Sequence, residues 1–187
     1  MLVSAAVPSA SAQDGAPGTL RFRSGAWQPP VASAPLVSGD GPRHEILQFD
    51  DAVDRARVES LAAAGVRPLR FIPDNAVLVG TDGPSDLSSI AGLRWRGALP
   101  PAAKVSLDTR AWMQSSPAQA SLQVITMHPD VARADAEALV ATLGGVVDDR
   151  ASLGGAVVLA RVTREAIGRL ADADAVAWIV PANEAMA

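Results

Sequence analysis

Two stretches of this 187-residue chain, each about sixty residues long, run through the same order of secondary-structure signals. In the first, Glu45 to Phe49 alternates like a strand. Asp50 to Ala64 reads as a helix, capped by Asp50 or Asp51, faced by Val53, Val58 and Leu61 and stopped by Gly65. Val66 to Ile72 is a second strand, and Pro68 marks it as irregular or at a sheet edge. Pro73, Asp74 and Asn75 make a turn, and Ala76 to Val79 a third strand. A short helix follows from Pro84, Ser85 and Asp86, with Leu87 and Ile90 inward and Gly92 closing it; Leu93 to Arg96 is the fourth strand.

The second stretch repeats this order. Leu122 to Met127 is a strand, and Pro129 and Asp130 open a helix over Val131 to Leu143. Gly144 and Gly145 end it. Val146 to Asp148 is a strand, Ser152 to Gly155 a turn, and Ala156 to Val162 a strand. Thr163 caps a helix faced by Ala166, Ile167 and Leu170, and Ala175 to Val180 is the last strand. Gly65-Val66 coincides with Gly145-Val146, Ala76 to Val79 with Ala156 to Leu159, and Trp95 with Trp178. The expected fold is α+β: two tandem ferredoxin-like βαββαβ modules, each an antiparallel sheet with its helices on one face.

Composition divides the rest of the chain. Residues 1–12 hold a short apolar run, Leu2 to Val7, then Ala10-Ser11-Ala12 ahead of Gln13. That pattern reads as the remnant of a signal peptide, although it lacks a basic leading segment, and it implies a secreted or periplasmic protein. Residues 13–42 are rich in Gly, Pro, Ser and Ala and read as a disordered leader anchored only by Phe22 and Trp27. The modules occupy residues 43–110 and 121–187, with a linker over 111–120.

Charge and residue usage remove whole classes of function. Sixteen basic against 20 acidic side chains give a net charge of −4, which disfavours nucleic acid as a partner. Lys104 is the only lysine beside fifteen arginines, no run of basic residues exists to form a polybasic membrane patch, and no apolar stretch reaches the roughly 18 residues of a bilayer span. With no cysteine there is no disulfide, thiolate nucleophile or Cys-ligated metal. The two histidines, His44 and His128, have no second His or Cys near them in sequence, and both read as ordinary surface or edge histidines. Asp50-Asp51 and Asp148-Asp149 read as capping or turn acids rather than a Ca²⁺ site. Ser115, Ser116 and Ser152 lack a nucleophile-elbow setting, and the Gly144-Gly145 and Gly154-Gly155 pairs lack a phosphate-binding context. No cofactor and no metal is expected.

Leu47-Gln48-Phe49, Leu61 to Gly65, Phe71 to Val79, Leu93-Arg94-Trp95 and Pro100, Ala102, Lys104 and Val105 resemble the N-terminal region of some bacterial subtilisin-like serine proteases. Leu159, Leu170, Val176, Trp178 and Ile179 resemble the second module of the same region. The resemblance covers about Arg43 to Ala187. It implies a propeptide-like role, in which a ferredoxin-like sheet packs on the protease, templates its folding and then inhibits it with a C-terminal tail in the substrate cleft. The implied partner is the catalytic domain of a subtilisin-like protease, in cis or in trans.

The catalytic motifs of that family do not occur here: Glu45 follows His44, Pro129 follows His128, and no Gly-Thr-Ser-Met sequence exists. The chain is expected to be non-catalytic and to stop where a catalytic domain would begin. The expected contact residues are the exposed sheet face of each module, Trp95 and Trp178, and the tail Pro181, Ala182, Asn183, Glu184, Ala185, Met186 and Ala187. Arg94 and Arg96, beside Trp95, are expected to be solvated. Two other readings stand beside this one: a free-standing secreted protease inhibitor, and an ACT-like regulatory module binding a small ligand between modules near Gly65 and Gly144-Gly145.

Overall fold

The computed structural model describes residues 18–30, 43–83, 85, 87, 90–115, 119–148 and 154–182. The first elements lie where a disordered leader is expected. Leu20–Phe22 (β1) and Gly25–Trp27 (β2) pair as an antiparallel hairpin, with Gly25 at a φ of 126° that disfavours any side chain. Three large apolar residues stabilise it. Leu20 is fully buried, and Trp27 meets Trp95 edge-on at 5.6 Å and Phe22 at 6.3 Å. Gln48 holds Gly18 through both its amide atoms, at 2.9 and 3.2 Å. Composition marks this segment as irregular because its anchors are too few for periodicity to register.

The first sheet contains Arg43–Phe49 (β3), Arg67–Ile72 (β4), Ala76–Thr81 (β5) and Leu93–Ala98 (β6), all antiparallel, in the order β4-β5-β3-β6. Arg55–Ala63 (α1) joins β3 to β4. Its cap is Asp54, which accepts from the Arg57 N–H at 2.9 Å, rather than Asp50 or Asp51. Asp50 instead accepts from Arg94 at 2.9 Å. Pro68 sits on the edge strand, where the register slips before Arg70. Asp74 and Asn75 take left-handed backbone angles in the turn, as their short polar side chains allow. The short helix expected after Pro84 is not formed by the described residues, which show one turn closed by Ile90 N–H to Leu87 O at 3.0 Å. Pro84, Asp86, Ser88 and Ser89 lie outside them.

Both faces of this sheet are covered. Leu47, Phe49, Val77 and Val79 pack with Leu61 and Val66 on the α1 side. Ile46, Leu78 and Trp95 pack with Leu20, Leu99 and Ala103 under the hairpin. Hence β3 is buried from His44 to Phe49, and its polar members His44, Glu45 and Gln48 are each hydrogen-bonded.

The second sheet follows Pro101–Lys104 (α2) and Leu107–Ser115 (α3). It contains Ser121–Met127 (β7), Val146–Val147 (β8), Val157–Val162 (β9) and Val176–Pro181 (β10) in the order β10-β7-β9-β8. Arg133–Thr142 (α4) and Arg164–Asp172 (α5) lie on one face. Thr163 caps α5 by accepting from the Ala166 N–H at 3.3 Å, and Gly144, at φ 92°, ends α4. Ile125, Val140, Ile167, Leu170 and Ile179 form the fully buried centre, each side chain contributing roughly 1.5–3 kcal/mol by its burial.

The linker expected over 111–120 is in part the end of α3, whose Trp112 and Met113 pack on this core. Both α2 and α3 pack on β10, while Ala103 of α2 also packs in the core under the hairpin. The chain is therefore α+β, with two four-stranded antiparallel sheets in corresponding strand order.

Candidate functional site

The two units meet over a cluster of ionisable side chains drawn from five places in the chain. His44 stands at the start of β3, and His128 and Asp130 follow β7. Asp174 lies in the turn between α5 and β10, Lys104 ends α2, and Arg67 opens β4. His44 is 4% exposed. Its Nδ1 donates to Asp174 at 2.6 Å, its Nε2 to Asp130 at 2.9 Å, and its backbone N–H to Asp174 at 3.1 Å. An ionised carboxylate only accepts, so both ring nitrogens carry protons and His44 is an imidazolium.

Burial opposes that charge, but the hydrogen bonds and charges of Asp174 and Asp130 outweigh it and raise the His44 pKa. Burial likewise pushes both carboxyls up. His44 overcomes this and holds them below the usual carboxylate range, with Arg67 aiding Asp130 and Lys104 aiding Asp174. Arg67 reaches Asp130 at 3.0 Å. Lys104, the one lysine, is 3% exposed and donates to the Ala173 carbonyl at 2.7 Å; its pKa is lowered by burial.

His128 stacks on His44 with ring centroids 4.0 Å apart and planes 23° from parallel. It is 1% exposed, and neither ring nitrogen has a hydrogen-bond partner among the described residues. Burial first, then the neighbouring charges of His44 and Lys104, bring its pKa down to about 3, so the ring is neutral. Gly80, opposite His44 in the β3–β5 register, makes room for the clamp: a Cβ there falls 2.7 Å from Asp130 Oδ2.

This arrangement is a charged cross-link between the two sheets. His44 has no free lone pair to act as a base, and His128 presents no nitrogen to solvent. Among the described residues no group of three or more His, Asp and Glu side chains is arranged to hold a metal ion. Beside the clamp lies an open cavity of about 540 Å³ lined by Gly65, Arg67, Pro129 and Asp130.

The expected surface histidines are thus both buried, because each belongs to a strand end that the other unit covers. Trp95 is also buried, with its indole N–H donating to the Pro30 carbonyl at 3.1 Å, so it is not a free contact surface. The open face expected on the first sheet is covered by the hairpin. Arg96 grips the buried Glu45 at 3.0 and 3.1 Å, and Arg94 binds Asp50, so neither is merely solvated.

On the second sheet, Trp178 is half-buried, and with Leu122, Val124, Thr126 and Val180 it lies outside the core. These residues share the face opposite Ile125. Pro181 is the last residue of edge strand β10, and Ala182 still donates to the Leu122 carbonyl at 3.0 Å. Asn183, Glu184, Ala185, Met186 and Ala187, and also Asp149, lie outside the described residues. Sequence reading missed the clamp entirely. The only local hint is an acid, Asp130, placed two residues after a histidine and ahead of a helix that it does not cap.

Residues 21–100 are similar to a family described as a domain of unknown function (DUF8729). The matched region begins within β1 and ends just after β6, so it takes in most of the hairpin and the whole first sheet. No curated protein and no solved structure matches the chain.

Proposed function

We propose that this chain is a non-catalytic binding region built of two tandem ferredoxin-like modules. In this reading it is the propeptide-like N-terminal region of a secreted subtilisin-like serine protease. It assists folding of the catalytic domain, inhibits it, or does both, by protein–protein contact. The observation that carries the reading is the asymmetry of the two sheets. The first has its open face closed by the hairpin, whereas the second keeps Val124, Thr126, Trp178 and Val180 half-exposed beside an edge strand that leads into the tail. An apolar sheet face supplies docking area, and a tail leaving an edge strand is placed to enter a cleft by strand addition. A module that binds the native protease and not the unfolded one stabilises it by mass action.

The test is inhibition of a panel of subtilisin-like proteases by residues 13–187, beside the same chain lacking 183–187. Pro181 and Ala182 are kept because they pair within the sheet. Tight inhibition that disappears with the tail supports the reading; no inhibition by a folded chain removes the inhibitory role. The ACT-like alternative is favoured by the cavity at Gly65, Arg67 and Asp130 between the units, and thermal stabilisation by free amino acids would mark it out.

A further inference from the structure

A second cleft, of about 440 Å³, opens where the hairpin, β4 and β10 come together. Phe22 and Arg23 enter it from the hairpin, Arg70 and Phe71 from β4, and Trp178 from β10. Its charge is one-sided. Arg21, also at its wall, is taken up by Asp74, to which its Nε donates at 3.1 Å. The side chains of Arg23 and Arg70 make no hydrogen bond or ion pair among the described residues, and Arg70 is held below the ordinary arginine range by burial and by the like charge of Arg23. Both arginines line this one cleft, in a chain whose net charge is −4. Beside them Phe71, 62% exposed, is one of the few large apolar side chains left to solvent.

Each part of this arrangement is incomplete without a ligand of one chemistry. Paired guanidinium groups match a carboxylate or phosphate through several N–H donors, and an anion between them cancels their repulsion. The rings of Phe22, Phe71 and Trp178 offer flat apolar walls to the remainder of the same molecule. The volume is that of a small-ligand site. We propose that this cleft binds a small organic anion, a carboxylate or phosphate joined to an aromatic or acyl group. The inference is independent of the protease reading.

The test is a fluorescence titration of the full chain with 1-anilinonaphthalene-8-sulfonate, beside its uncharged analogue N-phenyl-1-naphthylamine. The proteins are wild type, the double variant Arg23→Gln/Arg70→Gln, and Arg55→Gln, whose side chain lies 92% exposed on α1. The sulfonate is expected to saturate one site per chain and to bind about tenfold or more weaker to the double variant, with Arg55→Gln unchanged. The uncharged analogue is expected not to distinguish the three proteins. Displacement of the sulfonate from wild type needs no substitution: benzoate and benzyl phosphate are expected to compete, and the stronger of the two identifies the head group. Sulfonate affinity in the double variant within about twofold of wild type, or equal displacement by benzyl alcohol, overturns the proposal.

Discussion

His44 and His128 stack at 4.0 Å in opposite protonation states, and the difference lies in what their ring nitrogens meet. Both nitrogens of His44 face carboxylates, whereas neither nitrogen of His128 has a hydrogen-bond partner among the described residues. Replacing either histidine by phenylalanine preserves an aromatic ring, but the costs are expected to differ. His44→Phe removes the cation that bridges Asp130 and Asp174 and leaves them to Arg67 and Lys104; with Asp174 47% exposed, water offsets part of the loss, and the expected cost is about 1–3 kcal/mol. His128→Phe removes two unsatisfied polar atoms and is expected to change stability by less than about 1 kcal/mol at pH 7. Urea unfolding of the two variants checks this, and equal losses would refute the assignment.

Stability is expected to peak near pH 6.5, because the two rings act on opposite sides of it. The raised pKa of His44 gives a contribution that is complete below 6.5 and is lost as pH rises through its folded value. The lowered pKa of His128, about 3, gives a contribution that is complete above 6.5 and is lost as pH falls. On the acid side the loss is about 1.4 kcal/mol per pH unit until the aspartates begin to protonate. The unfolding free energy at pH 5, 6.5 and 8 shows both limbs, and His128→Phe is expected to flatten the acid limb alone. An acid limb unchanged in that variant would exclude His128 as its source.

Gly80→Ala is expected to loosen the junction. The added carbon meets Asp130 Oδ2 at 2.7 Å, closer than real contacts allow, so the carboxylate must shift, which disturbs its bond to Arg67 through Oδ2 and to His44 through Oδ1. A loss of about 1–3 kcal/mol follows. In Asp130→Ala the obstacle is absent, so the same glycine substitution should then cost much less. A double-mutant cycle with additive losses would show that Gly80 is needed for another reason.

The hairpin is expected to be part of the fold rather than an appendage. Leu20 is fully buried over Ile46 and Leu78, and Leu20→Ala should cost about 2–5 kcal/mol. A thermal or urea midpoint matching wild type would restore the view of this segment as a passive leader.

Much of each sheet was legible in the amino-acid order. Alternation located the strands, Pro68 marked an edge, Thr163 capped α5 and Gly144 ended α4, because each of these is decided within a few residues. The hairpin was not legible, since Leu20, Phe22 and Trp27 gain their burial from Trp95 and β3, far along the chain. Local preference makes α2 and α3 helical without saying what they pack on; only the tertiary structure lays both on β10 and also sets Ala103 of α2 in the core under the hairpin.

The clamp shows the same division most sharply. By itself the sequence determined an α+β fold and the order of its strands and helices, since periodicity and turn residues act over a few neighbouring positions. It held no signal joining positions 44, 80, 128, 130 and 174, which share neither spacing nor period. Their meeting was decided when the two units docked. Only then did burial remove water from His44, bring two carboxylates to its nitrogens and leave His128 neutral against it. The same docking placed Trp178 beside the unpaired Arg23 and Arg70.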